Sequence, residues 1–279
     1  MSDAKKAAVC PVCPRHCHLT DGQTGFCRAR RNVGGKVVAV NYGRVTSVAL
    51  DPTEKKPFAR WESGKYILSV GSFGCNLTCP FCQNYSISQT DENCPTENLS
   101  PAQLVNIAVQ LVPKGNVGAA FTYNEPLIGF EYVLDAAKLL KAAGLKVALV
   151  TNGTIETDLL RLLLPFVDAM NIDLKAWDEE FYRRIGGNFA CVKDNIALAV
   201  KNCHVEVTTL VIPKANDDAA KMRDEAKWLA SLSADLPLHI SRFFPRYKMS
   251  DTPPTPVADV YNLAETAREY LHFVYTGNC

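Results

Sequence analysis

The sequence predicts an α/β protein built on a parallel, barrel-like sheet of six strand–helix units, preceded by a small cysteine-rich module. Three observations carry that expectation. From Tyr66 onward, short apolar runs alternate with segments of helical periodicity. Residues 1–60 instead carry closely spaced cysteines, prolines and glycines, which preclude a long regular element. Polar residues gather directly after the apolar runs, at the strand ends where the loops of a parallel sheet are free to vary. With 279 residues and 47% apolar content, the chain can bury one large core and a small accessory unit, dividing as 1–60 and 61–279.

The elements follow in order. CPVCPRHCHLTDGQTGFCRARR opens the small module, and GGKVVAVNYGRVTSVALD (34–51) reads as two short strands about Asn41-Tyr42-Gly43. DPTEKKPF (51–58) reads as a connecting loop. Strands are expected at 66–71, 118–123, 146–151, 169–174, 204–212 and 237–243. Most are short apolar runs rather than strict alternations, as parallel strands covered on both faces require. Helices are expected between them, among them 101–112, with Pro101 in the first turn behind Ser100, and 129–144, ending on a glycine suited to a C-cap. HFVYTG (272–277) supplies one more edge strand. Six such units favour a barrel-like sheet; a doubly wound open sheet fits the same periodicity.

Composition excludes several functions. Lysine and arginine total 30 against 29 acidic residues, a formal charge of +1, so no phosphate-attracting surplus marks a general nucleic-acid binder. The first residues lack the apolar run of a signal peptide, and no stretch approaches the length that spans a bilayer. The expected location is cytoplasmic. Eleven cysteines in such a chain point to metal or catalysis rather than disulfides. Cys191 and Cys203, alone among apolar neighbours, read as small buried hydrophobes.

The densest motif is GCNLTCPFCQN (74–84), which places Cys75, Cys79 and Cys82 directly after the first barrel strand. A closed zinc site or an electron-transfer cluster wants four protein ligands. Three thiolates leave one iron of a four-iron cluster open, or leave zinc seeking a remote ligand. The spacing C-x-x-x-C-x-aromatic-C, with Phe81 before the last cysteine, resembles the radical S-adenosylmethionine (SAM) superfamily. That resemblance implies a [4Fe-4S] cluster on the three cysteines, whose open iron chelates SAM. It also implies reductive cleavage to a 5′-deoxyadenosyl radical that abstracts hydrogen from a substrate.

The other strand ends extend the resemblance. In TYNEP (122–126), Asn124 and Glu125 stand where the superfamily often carries glycine–glycine–glutamate, and Glu125 keeps the acid that faces the methionine ammonium. TNG (151–153) and DLK (173–175) resemble the glycyl-radical-enzyme activases, of which the pyruvate formate-lyase activating enzyme is one; this implies Asn152, Asp173 and Lys175 as SAM contacts. Asp173 and Lys175 could equally pair only with each other. Val150 replaces an aspartate common in those activases. Ile212 would pack on adenine beside Phe81. CPVCPRHCHLTDGQTGFCRAR, DPTEKKP, GCNLTCPFCQNYSISQ, NIDLKAW, EVTTLVIP and HISRFFPRYKMSDTPPTP together resemble the radical SAM protein of the AmmeMemoRadiSam system, over nearly the whole chain.

His239, Arg242 and Arg246, after the last barrel strand, read as substrate contacts for a carboxylate, phosphate or peptide backbone. Cys10, Cys13, Cys17 and Cys27 supply four soft ligands, enough to close a second centre of zinc or iron–sulfur. The implied partners are an electron donor such as flavodoxin or ferredoxin, and a glycyl radical enzyme or other protein substrate. The alternative is radical modification of a small molecule, or of a peptide or nucleic-acid residue.

Overall fold

The computed structural model describes residues 6–279. Its centre is an eight-stranded sheet: β6 (Ser47–Pro52), β7 (Tyr66–Gly71), β9 (Asn116–Phe121), β10 (Lys146–Thr151), β11 (Ala169–Asp173), β12 (His204–Val211), β13 (Leu238–Arg242) and β14 (Val274–Gly277). From β7 to β14 the strands lie in chain order and all pair parallel; β6 closes one edge antiparallel to β7. A doubly wound sheet would reverse its strand order at a switch point, so that alternative is set aside. β6 and β14 are both edges and do not pair with one another. The sheet is therefore a partial barrel, as the radical SAM resemblance implied.

The smaller pairings lie outside it: β1 (Ala8–Val9) with β2 (His18–Leu19), β3 (Arg30–Val33) with β4 (Lys36–Ala39), and β5 (Arg44–Val45) with β8 (Glu97–Asn98). These correct the hairpin expected about Asn41-Tyr42-Gly43. The first strand of that stretch turns back on Arg30–Val33, while its last part joins the main sheet. Residues 47–60, grouped with the small module from sequence, are thus built into the sheet and its interior.

Among the described residues, eight helices surround the strands: α1 (Tyr85–Ser88), α2 (Pro101–Gln110), α3 (Phe130–Ala142), α4 (Thr157–Leu163), α5 (Glu179–Arg184), α6 (Phe189–Val200), α7 (Ala219–Leu232) and α8 (Val257–Arg268). α2 starts with a full capping box, Ser100 and Gln103 each satisfying the other's backbone N–H. Gly144, at φ +73°, follows α3 where a left-handed residue ends a helix. None of these helices is long and apolar enough to cross a membrane.

Alternation along the strands separates two environments. Phe121, Val147, Leu149, Met170, Ile172, Val207, Leu238 and Ile240 form the core beneath the helices. The opposite face carries small and polar groups. Ala120, Ala148 and Ala169 leave room inside the barrel for Phe58 and Trp61, whose rings lie 5.1 Å apart. DPTEKKPF therefore leads into a plug within the sheet rather than a surface loop.

The plug is fixed by a carboxylate the sequence reading passed over. Glu206 is fully buried and accepts from the Ala59 and Arg60 amides, each at 2.9 Å. It also pairs with His204 at 2.9 Å and His239 at 2.6 Å. Burial alone would raise its pKa; the bonds from both histidines and both amides outweigh it and pull the group down to about 2. Asn171 adds a bond to the Pro57 carbonyl at 2.9 Å.

Candidate functional site

The C-terminal strand ends open on one cavity of about 850 Å³. Its wall includes residues from the β6–β7 connection, from the loop after β7, and from β14 at the far edge. Because both edges of the sheet face this space, the sheet's curvature creates the site.

Cys75, Cys79 and Cys82 stand on this wall as free thiols. Their loop is closed by backbone bonds from Gly74 to Ile87 and from Thr78 to Ile185, both 2.9 Å, and by Gln89 donating to the Leu77 carbonyl at 3.0 Å. Gly74, at φ +85°, is irreplaceable on space as well as dihedral: a Cβ there would lie 2.4 Å from the Cys27 carbonyl oxygen. The Leu77 amide donates to the Cys75 sulfur at 3.3 Å, and Asn152 Nδ2 stands 3.7 Å from it. Ser88 Oγ lies 3.2 Å from the Cys82 sulfur.

Glu125 is buried at the end of the second barrel strand, facing the same space. It accepts from Thr151 Oγ1 and the Asn152 amide, both at 2.7 Å, and from the Leu127 amide at 3.0 Å. Burial nevertheless pushes its carboxyl up to about 7, those bonds pulling only partly against it. Asp173 and Lys175 pair with each other at 2.7 Å and also line the cavity. Burial alone would lower the lysine; Asp173 and the Cys79 sulfur outweigh it and hold the ammonium well charged.

Residues 69–226 match the radical SAM superfamily. The chain belongs to the radical SAM superfamily. An uncharacterized protein of Methanocaldococcus jannaschii is 37% identical over 280 residues, covering 96% of this chain and 80% of its own length. The pyruvate formate-lyase-activating enzyme of Clostridium pasteurianum is 25% identical over 164 residues, covering 57% of this chain and 67% of that protein. Among solved structures, Streptococcus suis SuiB bound to SAM superposes with a TM-score of 0.59 at 13% identity, covering 74% of this chain and 48% of SuiB. That likeness speaks to the fold alone.

The radical SAM cofactors fit what the chain presents. Burial raises the Cys79 thiol to about 12 and the Cys75 thiol well above its ordinary value, Glu125 adding to the latter. Thiolates form there only beside a strong positive charge, as iron supplies. Among the described residues no three His, Cys, Asp or Glu side chains converge on one point as the ligands of a single ion must. Ligands of a cluster need not, since each binds a different iron. Glu125, buried and without a cationic ion-pair partner among the described residues, suits an ammonium group.

The structure redistributes several expected contacts. Asn124 clamps the cysteine loop, donating to the Phe73 and Gly74 carbonyls at 3.2 and 3.1 Å and accepting from the Ser72 amide at 3.0 Å. Ile212 is fully buried in the core; β12 ends at Val211, so the alternation that brings Thr208 and Leu210 to the cavity stops short of it. Phe81 reaches the wall, its ring centroid 6.1 Å from that of Phe181. His239 also reaches it, stacked on Tyr275 at 5.3 Å. Arg242 and Arg246 do not line the cavity. Arg242 donates Nε–H to the Thr255 carbonyl at 2.6 Å, and Arg246 is exposed.

Two cavity residues went unnoticed in the sequence. Tyr123 takes a left-handed φ of +73° and donates its hydroxyl to Asp51 at 2.7 Å. Lys56 is buried, paired with Asp51 at 2.8 Å and placed over the Tyr123 ring at 4.3 Å. The two lie in TYNEP and DPTEKKP, the signals that could have found them.

Proposed function

We propose that the protein is an enzyme that cleaves SAM reductively and uses the product radical to remove a hydrogen atom from a substrate. One observation carries this: three free thiols, a buried carboxylate with no cation beside it among the described residues, and the Asn152, Asp173 and Lys175 side chains share one cavity at the strand ends. A [4Fe-4S] cluster on Cys75, Cys79 and Cys82, with SAM on its open iron, would supply one electron to the sulfonium and release methionine and the 5′-deoxyadenosyl radical. Glu125 would hold the methionine ammonium, its charge restored by that cation. Asn152 orients the loop, joining Asn76 Oδ1 at 2.9 Å while standing close to the Cys75 sulfur. Phe81 and Leu210 exclude water on the apolar side.

Two substrate classes are supported by different observations. Similarity to the Clostridium pasteurianum activating enzyme supports hydrogen abstraction from a glycine of a glycyl radical enzyme. The plug supports a smaller or singly presented substrate, because Lys56 and Phe58 from it line the cavity together with His239 and Tyr275. SuiB, which shares the fold, is solved bound to a precursor peptide. The sequence motifs support the AmmeMemoRadiSam branch within this reading, and a flavodoxin or ferredoxin would supply the electron. Anaerobic reconstitution, reduction and detection of 5′-deoxyadenosine test the chemistry. Cys79→Ala should abolish it; undiminished cleavage overturns the assignment. Isotope transfer from candidate substrates into 5′-deoxyadenosine then separates the two classes.

A further inference from the structure

We propose that Glu225 of α7 is a positioning residue for the Asp173–Lys175 segment. It acts through the Thr209 hydroxyl, which ties the Leu174 carbonyl while the Glu225 carboxyl is protonated and releases it when the carboxyl ionises. The inference rests on the reading above only in taking SAM as the ligand of Asp173 and Lys175.

Glu225 is a buried carboxyl that the site does not use. It is 1% exposed and does not line the cavity. Its one hydrogen-bond partner among the described residues is Thr209 Oγ1, 2.5 Å from Oε1. Thr209 comes from β12, where Thr208 and Leu210 face the cavity and the residue between them turns to the helix layer. The same hydroxyl lies 3.0 Å from the Leu174 carbonyl oxygen. Leu174 stands between the two charged residues that line the cavity. Two further ties hold this backbone: the Lys175 amide donates to the Tyr182 hydroxyl at 2.9 Å, and Asn216 Nδ2 donates to the Lys175 carbonyl at 2.8 Å.

A threonine hydroxyl has one proton to give, and here it faces two acceptors. With Glu225 protonated, the acid donates to Oγ1 and the hydroxyl donates to Leu174, so every donor is used. With Glu225 ionised, the carboxylate takes the hydroxyl proton, because a charged acceptor binds it more strongly than a carbonyl does. Leu174 then loses that bond. Burial pushes the Glu225 carboxyl up to about 8, the Thr209 bond pulling only partly against it. The surroundings leave that titration to burial and Thr209. Tyr182 of α5 is spent on the Lys175 amide, and Asp173 and Lys175 pair with each other. Lys221, one turn earlier on α7, is held by Asp178, and Lys193 of α6 stands over the Trp228 ring at 5.9 Å. The buried residues of α8 are all apolar. None of these charges pairs with Glu225.

The test is calorimetric titration of cluster-reconstituted, full-length protein with SAM from about pH 6.5 to about pH 9. Native affinity should fall roughly two- to tenfold as pH rises through about 8. Glu225→Gln, whose amide gives Thr209 a permanent donor, should show no such fall, while Thr209→Ser, which keeps the hydroxyl, should show it. A native affinity level across that range, or an equal fall in Glu225→Gln, overturns the proposal. Hydrogen-exchange mass spectrometry of the ligand-free proteins at matched alkaline pH reads the segment itself. Residues 173–177 should exchange faster in native protein than in Glu225→Gln, and equal exchange refutes the tie. Failure of the reading above is separate: native protein then binds no SAM at any pH, with the exchange difference intact. Should Glu225→Gln fail to fold, Glu225→Met, which also leaves the Thr209 hydroxyl to Leu174, decides by the same two measurements.

Discussion

At the scale of single residues, two buried glutamates with opposite environments divide the work. Glu206, with two imidazoles and two amides, is ionised and structural. Glu125, with three donors but no cation among the described residues, is pushed by burial up to about 7. Its folded value lies above the ordinary 4.5, so the folded protein binds the extra proton between those limits. Its contribution to stability is therefore full below about pH 4.5 and is lost as pH rises through about 7. A ligand ammonium reverses that cost by pairing with the carboxylate. Calorimetric titration of cluster-loaded protein with SAM should show affinity rising through neutral pH. Glu125→Gln should bind roughly tenfold or more weakly with a profile flat through neutral pH; a native profile already flat there would remove Glu125 from the ammonium site. Glu206 has the opposite sign: its folded value of about 2 lies below the ordinary 4.5, so its stabilisation is full above that value and is lost as acid drives the pH through about 2. Glu206→Gln should cost about 3 kcal/mol in urea denaturation at neutral pH, and an unchanged midpoint would mean the plug is held by its aromatic rings alone.

At the scale of elements, the cysteine loop and the plug show how much of the site was legible. The strand before each polar motif is plain in the sequence, because an apolar run followed by Cys75, Glu125, Asn152 or Asp173 needs only local pattern to find. What Asn124 does was not legible: it stands in the acid motif, yet its side chain turns back to bind two carbonyls of the neighbouring loop. Arg242 misled for a similar reason, since its guanidinium is taken by a carbonyl thirteen residues away. Gly74 is the residue on which the loop turns. Gly74→Ala should lower stability by about 1–3 kcal/mol from its left-handed backbone alone, and more if the Cys27 carbonyl cannot move. Reduced iron incorporation alongside a lower melting temperature would show it; native values for both would mean that the close approach relaxes freely.

At the scale of the whole molecule, one tie between the N-terminal segment and the barrel is Arg30 with Glu131, a bidentate pair whose guanidinium is buried while its carboxylate is half exposed. Arg30→Met should cost about 3 kcal/mol and make residues ahead of β6 susceptible to limited proteolysis before the barrel is cut; simultaneous loss of both would show one cooperative unit. The curvature of the sheet does the larger service. It brings Glu54 and Lys56 from one edge and Thr276 and Asn278 from the other onto the same cavity. Glu206 and the Ala59 amide, 147 residues apart in sequence, meet across the interior for the same reason.

The sequence by itself determined the strand–helix series, the family and the thiol motif, because periodicity and ligand spacing are properties of neighbouring residues. Tertiary structure alone decided that the chain following DPTEKKP enters the sheet at Phe58 and Trp61, that Ile212 turns into the core and Leu210 to the cavity, and that Glu206 pins His239. Those outcomes depend on where a curled sheet brings distant residues together, and on which buried polar groups are left for one another once water is excluded.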